Sequence, residues 1–329
     1  MKIAAYEVRE DEREMLERCA GQYHIHLSLS QDPFGSENAG ACHDADGITT
    51  LGKSRLDAPM LEQLAACGIR AVCTRTVGYD HIDLEAARRL GLHVFHASYD
   101  PDGVAEFTIM LMLMSLRNYK QALYRANAND YSLSGLLGRE LRTLTVGVMG
   151  TGAIGARVIE LLSGFGCKVL AYNRHGVLPE KLQELASCAT IDEIYHSCDV
   201  ISLHLPLTDS TKHIINKEAI GKMKTGVVLI NCARGGLMSI EDLIWGIETQ
   251  KIGALGMDVV EQEDGIYHRD LRSDILSNRN MAYIRQFPNV TMTQHMAFYT
   301  DCAVQSMAAC GIRRIADYLL EGKTEGMLV

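Results

Sequence analysis

Short apolar runs alternate with stretches of helical spacing along the first hundred residues. Residues 2–8 read as a strand, residues 11–19 repeat their apolar positions every three or four residues, and residues 46–50 read as a strand again. Residues 59–67 predict a helix stopped by Gly68, residues 69–74 a strand, residues 82–90 a helix stopped by Gly91, and residues 92–96 a strand. Such alternation joins parallel strands by right-handed crossovers, so this part predicts an α/β domain. From 102 to 119 the pattern is helical and rich in Met and Leu; its nearly all-round hydrophobicity favours a subunit interface over a cofactor box. A second α/β pattern then begins, with a strand at 145–149, a helix at 153–163 and strands at 168–172, 200–203, 227–231, 254–259 and 290–293. A last long helix covers 301–320.

Composition narrows the class. A chain of 329 residues has room for two domains, and 47% hydrophobic with 22% charged residues is ordinary for a soluble globular protein. A formal charge of −9 speaks against a nucleic-acid partner, which needs clustered positive charge. The N-terminus turns acidic after one short apolar run, unlike a secretory signal, and the longest apolar run, 107–114, is too short to cross a membrane. A cytoplasmic protein without a membrane partner is expected. None of the ten cysteines is spaced as C-x-x-C and no histidine cluster completes a zinc pattern, so no metal is expected and the thiols read as buried and free.

The first chemical signal is Gly150-Thr-Gly152-Ala153-Ile154-Gly155, which follows the apolar run 144–149 and opens a helix. In that setting Gly150 permits the tight turn, Gly152 lets the backbone approach a pyrophosphate, and Gly155 allows close helix–strand packing. The helix N-terminus offers unpaired N–H groups to the phosphates. A plain strand-to-helix turn can also contain glycine, but three correctly placed glycines favour a nicotinamide dinucleotide. The following strand should end in Asp or Glu to bind the ribose of NAD; here Asn173 occupies that place, with Arg174 beside it. Arg174 could pair with a 2′-phosphate, so the sequence leans towards NADPH while leaving NADH open.

Six segments, taken together, resemble the D-isomer-specific 2-hydroxyacid dehydrogenase family. They are 75–83 (RTVGYDHID), 146–155 (VGVMGTGAIG), 199–207 (DVISLHLPL), 230–235 (INCARG), 257–263 (MDVVEQE) and 295–300 (HMAFYT). They are most similar to the D-lactate dehydrogenase branch, and the resemblance spans about residues 45–310. It implies two doubly wound, Rossmann-like and flavodoxin-like domains with the cofactor in a cleft between them. The substrate domain would be discontinuous, 1–98 plus 298–329, and the dinucleotide-binding domain would be 99–297, forming a homodimer through its Met-rich helix.

The implied reaction is NAD(P)H-dependent reduction of a small 2-keto acid to the D-2-hydroxy acid, with pyruvate put first. Branched or aromatic keto acids are the alternative within the class, and a non-catalytic, corepressor-like NAD(H) sensor is the alternative outside it. Reduction needs a cation for the carboxylate, a hydride donor and an acid for the nascent alkoxide. Arg234 follows an apolar strand, where open α/β sheets bind ligands, and its planar fork suits a carboxylate. His295 follows another strand and offers an imidazole, a side chain able to give and take a proton, and the resemblance makes Glu263 its partner. It also implies that the Val77 and Gly78 amides meet the substrate carboxylate and that Tyr99 and Tyr299 line the pocket. Leu205, Pro206, Thr211, Cys232, Ala233, Arg234 and Asp258 would lie along the nicotinamide half of the cofactor, although Asp258 could instead brace its loop. One departure stands out: the family usually has Pro before the catalytic His, and this chain has Gln294.

Overall fold

Aliphatic and β-branched runs become parallel strands in two separate sheets. A computed structural model describes residues 1–329, the side chain of Ala41 excepted. The chain forms two compact units, Met1–Asp100 together with Tyr299–Val329, and Pro101–Phe298.

The first unit contains β1 (Lys2–Ala5), α1 (Glu10–Gln22), β2 (His26–Leu29), β3 (Gly47–Thr50), α2 (Ala58–Ala66), β4 (Ala71–Thr74), α3 (Leu84–Leu90) and β5 (His93–His96). Its five strands are parallel and ordered β2-β1-β3-β4-β5. One face packs through Ile48, Leu61, Leu64 and Val72, and the other through Ile3, Leu16, Phe95 and Ile312 of the C-terminal helix Asp301–Glu321. Under that helix lies a fully buried ion pair, Arg75 Nε to Glu12 Oε1 at 3.3 Å. Arg75 also donates to the Tyr6 carbonyl at 2.9 Å. The helix approaches this closely because Gly311 has no side chain; a Cβ there would lie 2.7 Å from Arg75 Cγ.

The second unit contains α4 (Asp102–Leu116), α5 (Tyr119–Asn127), β6 (Thr145–Met149), α6 (Ala153–Ser163), β7 (Lys168–Tyr172), β8 (Ser187–Cys188), α7 (Ile191–Ser197) and β9 (Val200–Leu203). It continues with α8 (Lys217–Lys222), β10 (Val227–Asn231), α9 (Ile240–Glu248), β11 (Ile252–Met257), α10 (Arg279–Ile284) and β12 (Val290–Met292). Its seven parallel strands are ordered β12-β11-β10-β9-β6-β7-β8, so the chain reverses direction across the sheet beside β6. Parallel strands buried on both faces explain the near-continuous apolar runs at 200–203 and 227–231.

The structure departs from the sequence pattern at several ends. β1 stops at Ala5 because Glu7 turns to a φ of +57° and accepts hydrogen bonds from the Lys53 and Ser54 amides. α3 begins at Leu84 rather than at 82, since the Asp83 carboxylate caps the Ala86 amide at 2.9 Å. The helix expected over 102–119 ends at Leu116, and Asn118, at a φ of +50°, starts α5 on a new axis. β11 ends at Met257, two residues short of the expected 259, which frees Asp258 from the strand. β2, β8, α5 and α7 to α10 carry patterns too short or too weak to register in the sequence. All ten thiols are free, but Cys188 on an edge strand and Cys302 in a first helical turn are exposed rather than buried. No described helix is long and apolar enough to cross a membrane.

Removing one partner of a buried ion pair strands the other charge. Glu12→Ala is therefore expected to lower unfolding stability by about 3–5 kcal/mol, measured by urea denaturation followed through the first unit. A loss below about 1 kcal/mol would contradict this, because exposed pairs alone have that magnitude.

Candidate active site

In the second unit every strand runs the same way, so the segments that follow them gather at one carboxyl edge of the sheet. β6 leads into the glycine turn, β7 into Asn173-Arg174, β9 into Leu205-Pro206, β10 into Cys232-Ala233-Arg234, β11 into Asp258, and β12 into His295.

The glycine turn is closed on itself. Gly150 has a φ of +106°, and a Cβ there would lie 2.4 Å from the His204 carbonyl oxygen. A Cβ at Gly155 would lie 2.0 Å from the Gly150 carbonyl oxygen, so the helix can start only where the side chain is missing. Gly152 is different: no atom lies within 4 Å of the place its Cβ would take, and no side chain caps α6. The first turn of α6, with Ala153 and Ile154, thus opens onto space rather than onto protein. That cradle fits the pyrophosphate of a dinucleotide. Asn173 closes the turn from the next strand, donating from Nδ2 to Thr151 Oγ1 at 2.6 Å, and its Oδ1 accepts from the His175 amide at 2.8 Å. Arg174 is exposed, with Nε on the His175 ring at 3.1 Å.

The loop after β9 flanks this turn, and the loop after β10 lies one strand further along the sheet, with Gly236 against Leu207. Leu205 packs 3.2 Å from the Cβ position of Gly150, and Thr211 Oγ1 donates to the Pro206 carbonyl at 2.6 Å. Burial pushes the Cys232 thiol up to about 12, so it stays protonated at neutral pH. Ala233 N donates to Asn231 Oδ1 at 3.0 Å, and Asn231 Nδ2 donates to the Arg234 carbonyl at 2.9 Å, a side-chain lattice that fixes the backbone around Arg234. The half-buried guanidinium itself donates from Nη1 to the Ala233 carbonyl at 2.8 Å.

His295 and Glu263 come together. His295 Nδ1 lies 2.5 Å from Glu263 Oε1, and Glu263 Oε2 accepts from the Val260 amide at 2.8 Å. The carboxylate is thereby held at both oxygens, and the ring's other nitrogen, Nε2, takes no part in this pair. His295 has a φ of +53°, a strained conformation for a side-chain-bearing residue. The strain is sustained by Asp258, which is fully buried. Its Oδ1 accepts from Thr293 Oγ1 at 2.6 Å and the Met296 amide at 2.9 Å, and its Oδ2 accepts from the Ala297 amide at 2.8 Å. The His295 amide completes the set on the Asp258 carbonyl at 2.7 Å. Asp258 therefore spends its carboxylate on bracing the loop. Gln294, where the family usually has Pro, is exposed, and the bracing by Asp258 supplies the rigidity at this bend.

The remaining expected residues lie in the first unit. Val77 is exposed and Gly78 half-buried in the turn after β4, which Thr76 Oγ1 fastens by donating to the Gly78 carbonyl at 2.6 Å. Tyr99 is half-buried. Tyr299 is exposed, with the Arg9 guanidinium 5.4 Å from its ring centre and its hydroxyl bonded to Asp11, which raises the phenol above its usual range.

Two side chains escaped the sequence reading. His204, directly before Leu205-Pro206, supports the glycine turn and shares a hydrogen bond of 2.9 Å with Ser202 Oγ. His268 reaches the His295 carbonyl with Nε2 at 3.0 Å. Only their places beside motif residues could have singled them out among twelve histidines.

Residues 109–297 match the model for the NAD-binding domain of the D-isomer specific 2-hydroxyacid dehydrogenases. The chain belongs to that family. It is 40% identical over its whole length to the aromatic 2-oxoacid reductase of Clostridium sporogenes, covering 99% of that protein. Among solved structures it resembles the D-lactate dehydrogenase of Aquifex aeolicus in complex with NAD and lactic acid, at a TM-score of 0.90 and 30% identity over 99% of both chains. It also resembles a D-2-hydroxyisocaproate dehydrogenase, at a TM-score of 0.89 and 30% identity over 100% of this chain and 99% of that one. The family fold is two parallel-sheet α/β domains, one of them NAD-binding, and the chain is an oxidoreductase of 2-hydroxy acids using NAD(H).

The half-buried His204 has its pKa pulled down to about 4 by burial, from an ordinary 6.5. The unfolded chain takes up this proton below about 6.5 and the folded chain only below about 4, so acidification between those values draws the equilibrium towards unfolding. Urea midpoints of the second unit are expected to fall from pH 7 to pH 4.5, and less steeply in His204→Gln. Equal slopes in the two proteins would remove His204 as the cause.

Proposed function

We propose that the protein reduces a 2-keto acid with a bulky, preferably aromatic side chain to the D-2-hydroxy acid, with NADH as reductant. The observation that carries the chemistry is the Glu263–His295 pair, held at the carboxyl edge of the sheet whose β6 ends in the glycine turn. Arg234 receives the substrate carboxylate, as a bidentate fork can. His295 Nε2 gives its proton to the carbonyl oxygen as the carbonyl carbon is reduced, and takes it back in the direction of oxidation. Glu263 keeps the ring in the orientation and tautomer that present Nε2, and balances the imidazolium. When bound, the reduced nicotinamide supplies the hydride. For the Val77 and Gly78 amides, Tyr99 and Tyr299, all in the first unit, a substrate contact is supported by the family motifs alone. Leu205, Pro206, Thr211, Cys232 and Ala233 line the nicotinamide half of the cofactor.

The substrate preference rests on the 40% identity to an aromatic 2-oxoacid reductase. Pyruvate, the substrate that the motifs put first, keeps the support of the likeness to a D-lactate dehydrogenase, and is the second reading. NADPH is supported only by Asn173-Arg174, where a neutral Asn takes the place of the expected acid and an exposed Arg stands beside it. A homodimer is supported by an open apolar groove between α4 and the end of α6, lined by Ile109, Met110, Leu113, Leu161 and Phe165.

Steady-state kinetics with NADH and NADPH against phenylpyruvate, 2-ketoisocaproate and pyruvate test the assignment. A higher kcat/KM for phenylpyruvate than for pyruvate is expected, and the reverse order replaces the aromatic reading by the pyruvate one. Arg174→Ala should weaken NADPH more than NADH; equal effects would remove the 2′-phosphate argument. His295→Gln is expected to lower kcat by about 10²–10⁴-fold with NADH binding retained. Full turnover by that variant would refute the assignment of the acid.

A further inference from the structure

A second histidine–glutamate pair stands beside the first. His213 Nε2 lies 2.6 Å from Glu261 Oε1, with the two side chains 37% and 21% exposed. His213 is anchored by its backbone to the segment that carries Arg234, its amide donating to the Gly236 carbonyl at 2.9 Å. Glu261 belongs to the segment that carries Glu263. The two segments already press together: a Cβ at Gly235 would lie 2.2 Å from the Val260 carbonyl carbon and 2.5 Å from the Glu261 amide nitrogen. Val260, between Asp258 and Glu261 in the chain, donates to Glu263 Oε2, whose other oxygen holds His295.

Both ends of this connection are strained. His213 has a φ of +51° and Gln262 one of +61°, between the two glutamates. Such conformations are disfavoured for an L side chain and persist where the surroundings hold them. Asn278 Nδ2 donates to the Glu261 carbonyl at 3.1 Å and so steadies the same segment. The His213–Glu261 bond thus ties the segment after β9, itself fastened to Gly236 beside Arg234, to the segment that carries Glu263.

We propose that His213 and Glu261 are positioning residues for the reaction: their bond fixes the 260–263 bend, and through it the hold of Glu263 on His295. This rests on the roles proposed above for Glu263 and His295. A fastening of two loops with no catalytic consequence would lower stability alone, whereas the clamp acts through Glu263 and must lose its effect when that carboxylate is gone.

The test is a double-mutant cycle on the full chain with NADH and phenylpyruvate, together with NMR of the His295 ring. His213→Ala is expected to lower kcat about tenfold in the native background, where a small misplacement of a reacting group has that scale. In the Glu263→Gln background the same change is expected to cost less than about twofold. Glu261→Gln keeps an acceptor for His213 and is expected to keep more than half of the native kcat; Glu261→Ala, which removes the acceptor, takes the place of His213→Ala in the cycle if that variant folds poorly. The ring Cε1 proton signal of His295, assigned by its loss in His295→Gln, should move in His213→Ala towards its position in Glu263→Gln. Equal losses in the two backgrounds, or an unmoved His295 signal, would overturn the proposal. If the native protein turns over none of the keto acids, the functional reading fails by itself, and the NMR comparison still decides the clamp.

Discussion

The buried carboxylate of Asp258 is the constraint on which the proposed catalytic edge depends. It sits one residue beyond β11 and spends both oxygens on the loop that leaves β12, while its carbonyl takes the amide of His295. A bend with a positive φ at His295 would otherwise relax, because an L side chain disfavours that conformation. Full burial makes these hydrogen bonds expensive to lose, since an unpaired carboxylate in the interior has no water to turn to. The imidazole therefore meets Glu263 at 2.5 Å as a consequence of backbone architecture two strands wide, and not of a chance meeting of two side chains.

The same sheet explains why the chemistry converges. Parallel strands deliver each following loop to one edge, and the reversal of strand order beside β6 is where doubly wound sheets receive ligands. β10, β11 and β12 are neighbours, so Arg234, Glu263 and His295 share one side of that edge. The glycine turn follows β6, separated from β10 only by β9, whose own loop packs Leu205 under Gly150. Cation, acid and dinucleotide cradle are thus spaced by strand pairing. Single-residue changes in loop length would disturb them more than changes on the outer helices.

Much of this was legible in the chain. The strands at Thr145–Met149, Lys168–Tyr172, Val200–Leu203 and Val227–Asn231 and the helix Ala153–Ser163 lie where the pattern put them, because continuous apolar runs bounded by Gly or polar residues leave little choice. Element ends were less readable, since they depend on hydrogen bonds from side chains such as Asp83 and on bends such as Glu7 and Asn118. The glycine turn, Arg234, Glu263 and His295 could be named from motifs, but the bracing by Asp258 could not be decided: a carboxylate after a strand looks the same whether it faces a ligand or a loop. His204 and His213 gave no periodic signal at all. The short edge strand Ser187–Cys188 was invisible because two residues carry no alternation.

The central claim is that the Asp258-braced loop aims His295 Nε2 at the reacting carbonyl oxygen while Arg234 holds the carboxylate. A crystal structure of the protein with NADH and a non-reducible 2-keto acid analogue tests it most directly. The account predicts His295 Nε2 within hydrogen-bond reach of the analogue's carbonyl oxygen, Arg234 on its carboxylate, and the Asp258 contacts intact. An analogue bound with its carbonyl away from His295, or with its carboxylate held by some other cation, would contradict it.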